Sequence, residues 1–163
     1  MKQRILIFSI IAVLLAGCKQ SDYVDWKSLN EGWLVTNSQK ANVKVTQSGL
    51  QYKQLNPSPN PTEARPNPNS TININYKLYL ISSFEDYAIG NPVQQGTEVV
   101  FSMANLIPGF SEGLQLMHVH DDFILYIPAS LGYGSEAVGT EGLYSFIPPY
   151  STLIYEVHLN AMQ

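Results

Sequence analysis

Few residues of this chain could do polar chemistry: three histidines, a single cysteine and ten tyrosines stand out. His118 and His120 neighbour Asp121 and Asp122 in "HVHDD", a set of donors of the kind that binds zinc. That stretch reads as a solvated surface turn, and the only other histidine, His158, falls at an outward strand position, so no metal is expected. Cys18 is the only cysteine, which excludes an intrachain disulfide. The tyrosines say more. In "SFIPPYSTLIYEVHL", Leu153, Tyr155, Val157 and Leu159 alternate with Thr152, Ile154, Glu156 and His158. A period of two marks a strand with one buried face. Tyr155 is then an inward phenol that needs a polar partner or a pocket. In "TININYKLYL", Ile72, Ile74, Tyr76, Leu78 and Leu80 share a face, so Tyr76 points inward too. The two phenols either satisfy one another inside a sheet or line a common pocket.

The elements that position them follow from the same periodicities. Pro148 and Pro149 cannot donate ladder hydrogen bonds, so they stand outside the last strand and fix how the chain enters it. Further strands are expected over residues 51–55, 97–103 and 122–127. Phe110, Leu114 and Met117 change the period to i, i+4, i+7 after the break at Pro108-Gly109, which predicts a helix of two to three turns. Residues 56–70, "NPSPNPTEARPNPNS", carry five of the ten prolines and read as an extended or disordered loop. Strands flanking one short helix, without alternation, predict an α+β domain with a mostly antiparallel sheet.

The amino terminus has a different character. "MKQRILIFSIIAVLLAGC" places Lys2 and Arg4 before an apolar run that is short for a membrane span, which reads as a secretory signal over residues 1–17. The ending "LAGC" resembles a bacterial lipobox and implies cleavage before Cys18 and lipidation of its thiol. Residues 18–42 are then a tether or a short helix broken near Gly32, and residues 43–163 the domain. Loss of Lys2 and Arg4 leaves seven basic against thirteen acidic residues, a poor balance for binding nucleic acid.

Five segments in this order resemble the FKBP-type peptidyl-prolyl cis-trans isomerases: "SGLQYK", "INYKLYLISSFED", "LIPGFSEGLQLM", "LYIPASLGYG" and "IPPYSTLIYEVHL". The lead-in "SGLQYK" is similar to the secreted bacterial branch that includes the macrophage infectivity potentiator proteins. The resemblance implies a curled antiparallel sheet of five to six strands wrapped over one short helix, with the substrate pocket between them. Carried onto this chain, it puts Phe110 at the pocket floor, with Tyr76, Phe84 and Tyr155 as walls beside Glu85. It has Leu106, Ile107, Phe146 and Ile147 contact substrate. The Ile107 N–H and the Tyr133 hydroxyl would meet substrate carbonyls.

Such a pocket needs no nucleophile, cofactor or metal. The Xaa-Pro bond turns slowly against a resonance barrier of roughly 18–20 kcal/mol. Twisting it removes negative charge from the carbonyl oxygen, so an apolar cavity weakens the planar ground state relative to the twisted form. The expected function is acceleration of this rotation in proline-containing peptides and unfolded exported proteins. The chain would be a lipid-anchored monomer at the outer membrane, facing the periplasm or the cell surface. Departures from the family pattern motivate an alternative, a chaperone or binding module of the same fold with little catalysis. They are Lys77 and Leu78 where a glycine is usual, Ser82-Ser83 for a turn, Glu85 for Asp, a reduced aromatic wall near Val99, and a long loop over residues 135–146. In that loop Tyr144 and Phe146 are placed to cap the pocket or select substrates.

Overall fold

The computed structural model describes residues 23–60, 62, 64–84 and 91–163, the last two positions of 64–84 by backbone alone. In chain order these form helix α1 (Val24–Ser38), strands β1 (Lys44–Val45), β2 (Gln51–Asn56) and β3 (Thr71–Tyr79), and the single turn α2 (Ile81–Phe84). Strand β4 (Gln94–Ser102), helix α3 (Pro108–Leu114) and strands β5 (Asp122–Ile127) and β6 (Leu153–Met162) follow. The strands make one antiparallel sheet of six, in the order β1-β2-β5-β6-β3-β4. The two alternating segments of the sequence are its neighbouring central strands, with Leu78 opposite Tyr155 and Tyr76 opposite Val157.

On the inner face, Ile72, Ile74, Leu78, Leu125, Ile127, Leu153 and Leu159 are buried with Leu114 and Met117 of the α3 region. Each such side chain contributes about 1.5–3 kcal/mol by leaving water. Helix α3 can lie against β5 because Gly113 faces it. A Cβ there would stand 2.4 Å from Cδ1 of Leu125, closer than real contacts allow.

The outer face differs from the expectation of a solvated surface. Ile154, Ile124, Tyr126 and Ile81 are buried there, with Trp26, Trp33 and Leu34 of α1 packed on them. Helix α1 runs unbroken through Gly32, which is exposed and costs a helix interior about 1 kcal/mol. Its buried positions include Asn30 and Asn37, while Val24 and Leu29 face solvent. Both asparagine amides find acceptors, although Oδ1 of Asn37 is buried without a partner among the described residues. The Asn37 amide donates to Oε1 of Gln51 at 3.0 Å, and Gln51 donates back to the Leu34 carbonyl at 2.9 Å.

The "HVHDD" turn is also not a solvated one. Asp121 is 1% exposed, and its carboxylate accepts from the Ser58 N–H at 2.6 Å, the His118 N–H at 2.7 Å and the Gln54 amide at 3.0 Å. Three donors compensate the burial of that charge. They also tie the start of the proline-rich loop to the sheet. Arg65 further along the loop donates through Nε to Nε2 of His118 at 3.1 Å.

Candidate active site

The inner face of the sheet does not close completely over α3. Tyr76 of β3, Phe101 of β4, Phe110 of α3 and Tyr155 of β6 surround a hollow of about 290 Å³. Leu106, Ile107 and Tyr133 complete its wall, with Gln94 and Asn105 as its two amides. The Phe110 and Tyr155 rings stack, centroids 4.2 Å apart and planes 22° from parallel. Tyr76 stands beside both walls, 6.0 Å from the Tyr155 ring and 6.1 Å from that of Phe101. Its ring has room because Gly96 lies opposite it in the ladder: a Cβ at Gly96 would sit 2.8 Å from Cε1 of Tyr76.

Tyr76 and Tyr155 do not satisfy one another. Among the described residues the hydroxyls of Tyr76, Tyr133 and Tyr155 have no hydrogen-bond partner, although Tyr155 is only 5% exposed. The Ile107 N–H, at the start of α3, likewise finds no acceptor among them. Tyr76, Tyr133 and Ile107 are half-buried, so these donors border an aromatic hollow that a ligand can reach. Burial first, then the neighbouring Tyr133 and Tyr76, pushes the Tyr155 phenol far above its ordinary range. Burial and then Tyr76 raise the Tyr133 phenol as well. Both are therefore neutral O–H donors at physiological pH, suited to a carbonyl oxygen.

The sequence-predicted residues divide into three groups. Tyr76, Leu106, Ile107, Phe110, Tyr133 and Tyr155 come together around the hollow. Phe146 and Ile147 are not among its lining. Ile147 exchanges both backbone hydrogen bonds with Val138, which pins it into the core at 0% exposure. Tyr144 is exposed and donates its hydroxyl to the Asn91 carbonyl. Phe84 closes α2 with its backbone, its ring outside the description, and Glu85 and Cys18 lie outside the described residues. The aromatic wall expected to be weak near Val99 is supplied by Phe101, two residues on along the same face. Strand alternation through Val99, Phe101 and Met103 was the available signal; Gln94 and Asn105 carried none. Among the described residues no group of three histidine, cysteine or acidic side chains is placed to hold a metal ion.

Residues 62–160 match the model of the FKBP-type peptidyl-prolyl cis-trans isomerase domain. The chain belongs to this family. It is 30% identical over 142 residues to the FKBP-type peptidyl-prolyl cis-trans isomerase FkpA of Aeromonas hydrophila, covering 87% of this chain and 48% of that protein. It is 32% identical over 133 residues to the outer membrane protein MIP of Legionella longbeachae, covering 82% of this chain and 52% of the relative. The chain thus spans about half the length of these curated relatives. The crystal structure of FkpA from Escherichia coli superposes with a TM-score of 0.72 at 26% identity, covering 88% of this chain and 62% of that one. In this FKBP-type domain the site residues come from strands, α3 and the connecting segments of the matched region, and α1 precedes it.

Proposed function

We propose that this FKBP-type chain is a peptidyl-prolyl cis-trans isomerase acting on proline-containing segments of exported proteins, held to the cell envelope by a lipid on Cys18. The observation that carries the reading is the aromatic hollow into which otherwise unpaired neutral donors converge. A substrate proline ring rests on Phe110 and Tyr155, between Tyr76 and Phe101. The Ile107 N–H and the Tyr133 hydroxyl hold carbonyls of the bound peptide. Apolar walls exclude water from the imide, whose planar form loses more solvation than the twisted form. By the family pattern Phe84 and Glu85 are assigned to the same site.

A protease-coupled assay on Xaa-Pro-Phe peptides tests the reaction. Acceleration above the spontaneous rate is expected, and a rate equal to the spontaneous one, with client aggregation still suppressed, moves the assignment to a chaperone. In the same assay Glu85→Asp raises the rate if the carboxylate position is used.

The anchor is a separate question. Among the described residues no helix is long and apolar enough to cross a membrane. Attachment is assigned to Cys18 from the lipobox-like "LAGC" that ends there, and a doubly acylated chain is held stably where a single acyl group is not. Cys18→Ala is expected to move the protein from the membrane fraction to the soluble fraction. Retention on membranes rejects the lipid anchor without touching the isomerase reading.

A further inference from the structure

Residues 148–152, between Ile147 and β6, are gripped from the far side of the sheet. The Trp26 indole N–H donates to Oγ of Ser151 at 3.0 Å, and that hydroxyl donates to the Pro148 carbonyl at 2.7 Å. Four residues further along α1, Oδ1 of Asn30 accepts from the Thr152 N–H at 2.7 Å, while its amide donates to the Trp26 carbonyl at 2.8 Å. Asn30, Ser151 and Thr152 are 2%, 4% and 1% exposed, so water cannot replace these partners.

The gripped segment connects at two points to neighbours of residues that line the hollow. The Tyr150 N–H donates to the Gly134 carbonyl at 2.8 Å, next to Tyr133, and Tyr155 lies three residues beyond Thr152 in β6. Tyr150 itself has φ of 62°, a left-handed backbone that a non-glycine residue keeps only when its surroundings hold it. We infer that Trp26 and Asn30 are positioning residues for the isomerase site, acting through residues 148–152 on Tyr133 and Tyr155. The inference rests on the isomerase reading for its catalytic consequence, but the positional claim can be measured without catalysis.

The test compares the full chain with Trp26→Phe, Asn30→Ala, their double variant, and Asn30→Asp, which keeps the acceptor for Thr152. Two measurements are made: kcat and KM on a proline peptide, and the ring resonances of 13C-labelled Tyr133 and Tyr155. The double variant is expected to lose roughly three- to thirtyfold in kcat/KM, less than the roughly hundredfold that a displacement of about 1 Å can cost. Both tyrosine resonances should shift, and Asn30→Asp should restore much of what Asn30→Ala loses. Trp26→Phe keeps the packing and carries the test by itself if the double variant does not fold. Lower thermal stability with unchanged kcat/KM and unchanged resonances overturns the inference, as does a loss of rate without any tyrosine shift. If the wild type fails to catalyse, the isomerase reading falls, while the resonances still decide whether α1 sets the two rings.

Discussion

The two faces of the sheet each carry a concavity, and the larger is the less promising. An open groove of about 740 Å³ runs past Asn56, Asn75, Asp122, Glu156 and His158, against about 290 Å³ for the aromatic hollow. The groove is rich in polar groups, and several of them are paired with one another. Nδ1 of His158 stands 2.7 Å from Asp122, whose other oxygen accepts from Asn56 at 2.9 Å. Asn75 accepts from the Glu98 N–H at 2.7 Å and joins Asn160 and Asn73 in a ladder of amides. In the hollow the reverse holds: few polar groups, none of the three phenols partnered. A site is recognised by unspent hydrogen-bonding capacity in a dry place rather than by volume or charge.

The contrast is broken most severely by Phe110→Ala. Phe110 is 3% exposed and stacked on Tyr155, so truncation should destabilise the domain by about 3–5 kcal/mol. Thermal melting with the isomerase assay checks it. A stability loss near zero would mean that the floor is not packed as described. Tyr133→Phe is the sharper instrument, since the removed hydroxyl bonds no described residue. The expected loss is about tenfold in kcat/KM, equivalent to one substrate hydrogen bond of about 1.4 kcal/mol, with the melting temperature unchanged.

High pH attacks the hollow selectively. An unfolded tyrosine ionises near 10.0, whereas burial keeps the phenols of Tyr155 and Tyr133 protonated above that point in the folded chain. Their contribution is intact below pH 10 and is lost as pH rises through the raised folded values, because the unfolded state releases protons that the folded state retains. Denaturation between pH 9 and 12 should show stability falling above about pH 10. Tyr155→Phe should flatten that fall, and an equally steep curve in the variant would sink the assignment.

What the sequence could tell was decided by periodicity. Strands β3 and β6, helix α3 and the convergence of Tyr76, Phe110, Tyr133 and Tyr155 were legible, the last through family resemblance rather than spacing. Helix α1 was obscured because its sheet-facing positions include Asn30 and Asn37 beside Trp33 and Leu34, while the apolar Val24 and Leu29 are 59% and 58% exposed, which blurs the helical period. Ile147 does not line the hollow; it bridges Val138 within the core cluster that also holds Phe110 and Tyr155. Asp121 was read as solvated because a run of polar letters does not reveal that three donors from distant segments converge on one carboxylate. Local pattern records faces; it does not record which polar groups the fold will bring together.

The smallest effects should come from the groove. His158→Ala removes the partner of Asp122 at a site where both side chains are 32% exposed. Partly exposed pairs of this kind contribute about 0–1 kcal/mol, so only a slight drop in melting temperature is expected. Activity on a proline peptide should stay within about twofold of wild type, since a twofold change corresponds to only about 0.4 kcal/mol in the barrier. Tyr76 makes this test informative, because it is the residue that lines both concavities. A tenfold loss in His158→Ala would show that the two faces communicate through β3 and β6, and that the groove takes part in the reaction. A silent substitution leaves the chemistry on the inner face, where the donors have nothing else to bind.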